Sequence, residues 1–120
     1  MNDQTANKSL PPELIAELQF QREVLPKIRR EGEESLRRLL PIAQSGTGQS
    51  GMVARFLLGL YNGPEYPFDL TDLRRLDQEI LDDCLTVLRM DHRLVKEVHE
   101  YFDNGSEIFK TLADTWIAKE

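Results

Sequence analysis

From Leu14 onward, apolar side chains recur three, four and seven residues apart along almost the whole chain, and no stretch alternates apolar and polar residues with period two for long. Spacings of three and four put side chains on one face of an α-helix, whereas a half-buried strand needs strict alternation. The expected fold class is therefore all-α, a compact helical bundle of five to six helices. No internal repeat is visible, so a solenoid is not expected.

Prolines and glycines divide that pattern. Met1 to Ser9 is polar and aperiodic and is expected to be a mobile tail; residues 10–120 are expected to form one helical domain. Pro11 and Pro12 suit a first helical turn, and Leu14, Ile15, Leu18 and Leu25 follow at helical spacing. Pro26 is expected to kink or end this helix. Lys27 to Leu40 reads as a second helix with a narrow stripe of Ile28, Leu36, Leu39 and Leu40, weakened at Gly32. Residues 10–44 are thus expected to be an N-terminal helix pair, stopped by Pro41 or by the Gly/Ser-rich loop 45–51, with residues 52–120 as the helical core. There, Val53, Phe56, Leu57 and Leu60 mark a helix from about Met52 to Tyr61, closed by Asn62-Gly63-Pro64. A long central helix is expected over 70–90, capped by Asp69 or Thr71; another over 91–104 ends at Asn104-Gly105, and a last one starts at Ser106.

Charge narrows the partners. The chain has 15 Lys and Arg against 21 Asp and Glu, net −6. The half after residue 60 carries 7 bases and 14 acids, the half before it 8 bases and 7 acids. Arg22, Lys27, Arg29, Arg30, Arg37 and Arg38 form a locally basic segment, the one place where nucleic acid is expected to bind, yet Glu23, Glu31, Glu33 and Glu34 sit among them. The longest uncharged apolar stretch, Phe56 to Tyr61, is far short of the roughly 20 residues that span a bilayer. A single cysteine forms no internal disulfide, which fits a reducing cytoplasm.

Complete catalytic or metal-binding sets are missing. Gly46-Thr47-Gly48-Gln49-Ser50-Gly51-Met52-Val53 has the glycine spacing of a phosphate loop, but Met52 and Val53 stand where the lysine and hydroxyl belong. Thr47, Gly48, Gln49 and Ser50 remain a candidate contact loop for an anion or a partner, beside the plainer reading of hinge and helix cap. His92 and His99, seven residues apart, are expected on one helix face, too distant to share a metal. Asp77, between Leu73, Leu76, Ile80 and Leu81, is expected to be a partly buried acid paired with an arginine from another helix. Cys84 is expected in the core. Tyr61, Tyr66, Phe68 and Trp116 are expected to pin loops to the body. No catalytic residue, cofactor or metal ligand is assigned.

Four linked motifs, Ser35 to Leu40, Thr47-Gly48-Gln49-Ser50, Val53 to Leu58 and Phe68 to Leu73, together with Asp77, Ile80, Asp82-Asp83 and the closing Phe109 to Trp116, resemble a small bacterial family of unknown function. Its members occur on proteobacterial plasmids and integrative elements. This chain departs from that family at Gly51 and Met52, where basic residues are common. The resemblance implies an accessory role on a mobile element and names no activity. The expected function is a non-enzymatic helical accessory module that binds another protein or itself, with a homodimer through the N-terminal helices as one form. The alternative is a nucleic-acid-associated regulator using residues 22–38.

Overall fold

A computed structural model describes residues 10–117, so the expected tail lies outside the described residues. The fold is all-α. In chain order it has α1 (Pro12–Gln19), a π-helical turn (Phe20–Val24), α2 (Leu25–Gln44), α3 (Ser50–Tyr61), a 3-10 turn (Leu70–Arg75), α4 (Gln78–His92), a second 3-10 turn (Val98–Tyr101) and α5 (Gly105–Trp116).

The N-terminal helix pair expected on either side of Pro26 is instead one rod from Pro12 to Gln44. Proline has no amide and its ring strikes the carbonyl one turn back. The π-turn just before it widens the helix, with the Leu25 amide bonding to the Phe20 carbonyl, and absorbs the defect without a break. Pro41 does not end the rod either. Near the helix end it removes a single bond, while Ala43 beyond it is fully buried and holds the last turn on the body.

The core begins at Leu25. In α2, Gly32, Ser35, Leu36, Leu39, Leu40 and Ala43 are buried, and they meet Val53, Phe56, Leu57 and Leu58 of α3, Cys84, Val87 and Met90 of α4, and Phe109 and Leu112 of α5. Gly32 is where α2 and α4 cross, since a Cβ there would overlap Cβ of Met90. Gly105 starts α5 beneath the His99 carbonyl, which any side chain would strike. Asn104 just before it takes the left-handed conformation at φ 57°.

The long central helix expected over 70–90 is divided. Asp69 caps as expected, accepting from the Thr71 amide (2.9 Å) and hydroxyl (2.8 Å), but only a 3-10 turn follows. Leu76 and Asp77 are extended because the side chain of Gln49 reaches across and its Oε1 accepts the Asp77 amide hydrogen at 2.9 Å. Within α4, Cys84 is buried as expected, and Val87 is buried with it, whereas Leu85 is exposed. The helix expected over 91–104 is replaced by a loop and a 3-10 turn. Arg93 leaves helical angles (φ −109°, ψ 76°), and Glu97 and Glu100 then form a reciprocal capping box around Val98.

The aromatic residues pin the periphery. Phe68 meets Phe56 edge-on at 5.7 Å between ring centres, Tyr61 packs on Phe109 at 5.1 Å, and Trp116 Nε1 donates to the Ala43 carbonyl at 3.0 Å. No helix among the described residues is long and apolar enough to cross a membrane.

Candidate functional site

The Gly/Ser loop is built around one buried hydroxyl. Ser50 Oγ donates to the Ile42 carbonyl at 2.6 Å and accepts the Thr47 amide hydrogen at 2.8 Å, with Ser45 Oγ at 2.9 Å and Thr47 Oγ1 at 3.0 Å. These contacts give the Thr47 amide in the turn its acceptor and add to the Ser45 amide and hydroxyl already bound to the Ile42 carbonyl at the end of α2. Gln49 ties the loop to α4 through Asp77. Of the four residues singled out in the sequence, Thr47, Gln49 and Ser50 therefore hold α2, α3 and α4 together. Gly48 is exposed, with open space where a Cβ would stand. The shallow hollow beside them, about 430 Å³, is lined by Thr47, Gly48, Gln49, Asp77 and Ile80.

Asp77 itself is exposed at the N-terminus of α4, not partly buried as expected, because the chain is extended there and the apolar residues around it belong to two separate elements. The acid that fits the expected description is Asp83. Its Oδ1 accepts from the buried Ser35 hydroxyl at 2.8 Å and from Arg38 Nη2 at 2.8 Å. The Asp83 carboxylate pushes the Arg38 guanidinium pKa upward. The sequence signal for this pair is Ser35 itself, a small polar residue inside the stripe of Gly32, Leu36 and Leu39, which requires a polar partner from the facing helix.

The basic segment separates into two groups. Arg37 donates to Glu33 (2.8 Å) and to the Tyr101 carbonyl (2.9 Å) and lies over the Phe102 ring, and Arg38 is held by Asp83. Both serve the body. Arg22, Lys27, Arg29 and Arg30 are exposed and form no ion pair among the described residues. Arg29 and Arg30 line a hollow of about 200 Å³ with Glu33, Val95, Lys96 and Tyr101.

No residue from Pro12 to Val24 is buried. Leu10, Leu14, Ile15, Leu18 and Val24 are 38–43% exposed, so of the apolar stripe legible in the sequence Leu14, Ile15 and Leu18 are left open, whereas its last member, Leu25, is buried. The adjoining flank is the side turned to the body. Arg93 pairs with Glu17 at 3.0 Å, and its guanidinium stacks 4.4 Å above the Phe20 ring. Arg93 and Gln21 together hold the Glu17 carboxyl below its ordinary pKa. This contact was not legible, because Arg93 lies in a stretch whose pattern reads as helix.

The remaining chemistry-bearing residues are dispersed. His92 ends α4, and His99, in the second 3-10 turn, meets Tyr61 edge-on at 5.0 Å, so the two histidines do not share a helix face. Among the described residues no group of three or more His, Cys, Asp or Glu is placed to hold a metal ion. The Cys84 thiol is pushed up to about 12 by burial, with the negative Asp83 next to it adding to the effect. A groove of about 570 Å³ between the end of α2 and α5 is lined by Ser45, Asp103, Asn104, Glu107, Thr111 and Trp116.

Comparison with known proteins returns one finding: a model described as "Family of unknown function (DUF7673)" matches residues 33–117. No curated protein and no solved structure matches the chain.

Proposed function

The chain belongs to DUF7673, and since that family is one of unknown function we propose, from the chain's own surface, a non-enzymatic helical accessory module that works by binding another protein or itself. The observation behind this reading is the stripe of Leu14, Ile15 and Leu18, left two-fifths exposed on a helix none of whose residues is buried in its own fold. Amphipathic helices gain their stability from packing one face, and a contiguous apolar patch on a small chain marks a contact surface. A cytoplasmic setting and an accessory role on a mobile element accompany the proposal. They rest on the lone buried cysteine and on the motif resemblance, respectively.

The test is site-specific photo-crosslinking in the host cell. A crosslinking side chain at Ile15 is expected to trap a discrete protein species, and one at the exposed Glu79 of α4 is not. Equal and diffuse labelling at both positions contradicts the proposal.

A second reading, nucleic-acid association, is favoured by the exposure of Arg22, Lys27, Arg29 and Arg30 and by the hollow that joins Arg29 and Arg30 to Lys96 and Tyr101. It predicts a gel shift that weakens steeply with salt, as phosphate contacts demand. No shift at low salt removes it.

A further inference from the structure

We propose that the hollow between α2 and the loop leading into the second 3-10 turn binds the phosphate backbone of a nucleic-acid strand. This rests on the second reading above and gives that reading its site.

The bases of the hollow come from two places. Arg29 and Arg30 stand on α2, and Lys96 is brought to them from the loop, its Nζ 5.2 Å from the centre of the Tyr101 ring. Three positive charges gathered in one hollow repel one another unless acids neutralise them, and the chain has 21 acids to 15 bases. The acids nearest in sequence are committed elsewhere. Glu33 and Glu34 lie four residues after Arg29 and Arg30, but a glutamate pairs better with a base that follows it by four residues than with one that precedes it. Glu33, which lines the hollow, accordingly accepts from Nε and Nη2 of Arg37 at 3.1 and 2.8 Å, and the charge of Glu34 acts on Arg38. Glu97 and Glu100, next to Lys96 along the chain, are turned onto each other's backbone amides in the capping box. Arg29, Arg30 and Lys96 are thus left without an ion pair among the described residues.

Tyr101 adds a neutral donor. Burial first, then Glu33 and Asp91, raise its hydroxyl pKa against the opposing effect of Arg29, so the proton stays on at neutral pH. Its carbonyl accepts from Arg37, while its hydroxyl has no hydrogen-bond partner among the described residues. Guanidinium forks, an ammonium and a hydroxyl are the donors that phosphate oxygens take.

Size and continuation decide the ligand. At about 200 Å³ the hollow is smaller than the roughly 300–1,000 Å³ of a small-molecule site, so it takes one group of a longer ligand. Arg22 and Lys27, exposed and unpaired, carry positive charge on along the rod, Arg22 lying about 10 Å before Arg29. A polymer with a phosphate at every unit uses the hollow and the rod together.

Fluorescence anisotropy of a labelled single-stranded oligonucleotide with the full chain, across a salt series, tests it. The wild type is expected to bind, with affinity falling linearly with salt on logarithmic axes. Arg29→Ala/Lys96→Ala is expected to flatten that slope by about 1.4, at about 0.7 for each single-strand phosphate contact, and to lower affinity roughly tenfold. Arg75→Ala/Lys110→Ala removes the same charge outside the hollow and is expected to leave the slope unchanged. Tyr101→Phe keeps the ring beneath Lys96 and is expected to weaken binding severalfold at an unchanged slope, because a neutral donor releases no counterion. The four bases are exposed, so their variants are expected to keep the wild-type circular dichroism. Arg29→Ala/Lys96→Ala protein that binds with wild-type slope and affinity overturns the site while leaving the nucleic-acid reading to another surface, and a wild type that binds nothing at low salt overturns both. Displacement by polyglutamate as readily as by unlabelled strand overturns the assignment to phosphate. Inorganic phosphate is expected to compete far more weakly than unlabelled strand, and equal competition overturns the continuation along the rod.

Discussion

Asp83 matters to the fold chiefly through a neutral neighbour. Its ion pair with Arg38 is exposed on the arginine side, where the side chain is 59% accessible, and such pairs contribute at most about 1 kcal/mol. The Ser35 hydroxyl, by contrast, is 2% exposed; its oxygen accepts from Arg38 Nη2 at 3.1 Å, and its proton goes to Asp83. Leaving a buried donor without an acceptor costs about 1–3 kcal/mol. Asp83→Ala is therefore expected to lower stability by about 1–3 kcal/mol in urea denaturation, and Arg38→Ala by less than about 1 kcal/mol; equal losses would place the energy in the ion pair.

Asp91 is the converse case. It is half-buried in the last turn of α4, where the helix end is itself negative, and burial followed by the nearby Glu97 raises its pKa. A carboxyl whose folded pKa is raised binds its proton more tightly in the folded state. Stability is thus lost as pH rises from the ordinary carboxylate range through the folded value, and the penalty is complete above it. Asp91→Asn is expected to raise the melting temperature at pH 7, with the gain shrinking toward zero as the pH falls below about 4, the unperturbed carboxylate value. A variant less stable than wild type at pH 7 contradicts this.

At the scale of the element, the rod from Pro12 to Gln44 is organised by residues that usually interrupt helices. Gly32 illustrates the balance. Replacing a helical glycine by alanine gains about 1 kcal/mol in propensity, but here the new Cβ meets Cβ of Met90, an atom fixed to the backbone of α4, and overpacking costs typically 1–3 kcal/mol. Packing wins where the obstacle cannot rotate away. Gly32→Ala is expected to melt below wild type, and a higher melting temperature would show that α4 shifts at no cost. Helical class, the stripe of α2, the core position of Cys84 and the start of α5 were all legible, because each follows from apolar spacing along one element. The break at Leu76 and Asp77 was not. It depends on the Gln49 side chain, 28 residues earlier, capturing one amide, and no local pattern records that. The same holds for Pro26, whose effect on the backbone is decided by how the preceding turn widens, and for the Thr47 to Ser50 loop, whose composition suits a binding turn as well as the fastening it provides.

At the scale of the whole molecule, one continuous helix serves two ends. From Leu25 onward it is the wall against which α3 and α4 pack, and before that point it presents apolar residues that the body leaves uncovered. The net charge of −6 is divided in the same way, with the excess acid after residue 60 and the alternation of acidic and basic ends confined to the rod. The stripe and the exposed bases were visible in the sequence as spacing and as charge; that they lie on one unbroken helix was not, since Pro26 read as its end. The central claim is that the apolar face of α1 is a contact surface and not part of the body's own packing, the body holding α1 through Arg93 on Glu17 and Phe20. Amide hydrogen exchange over residues 12–24, measured in dilute full-length chain without a partner, tests this most directly. Amides of residues 12–24 are expected to exchange quickly while those of α3 and the buried part of α2 stay protected. Protection of residues 12–24 equal to that of α3 would contradict the claim.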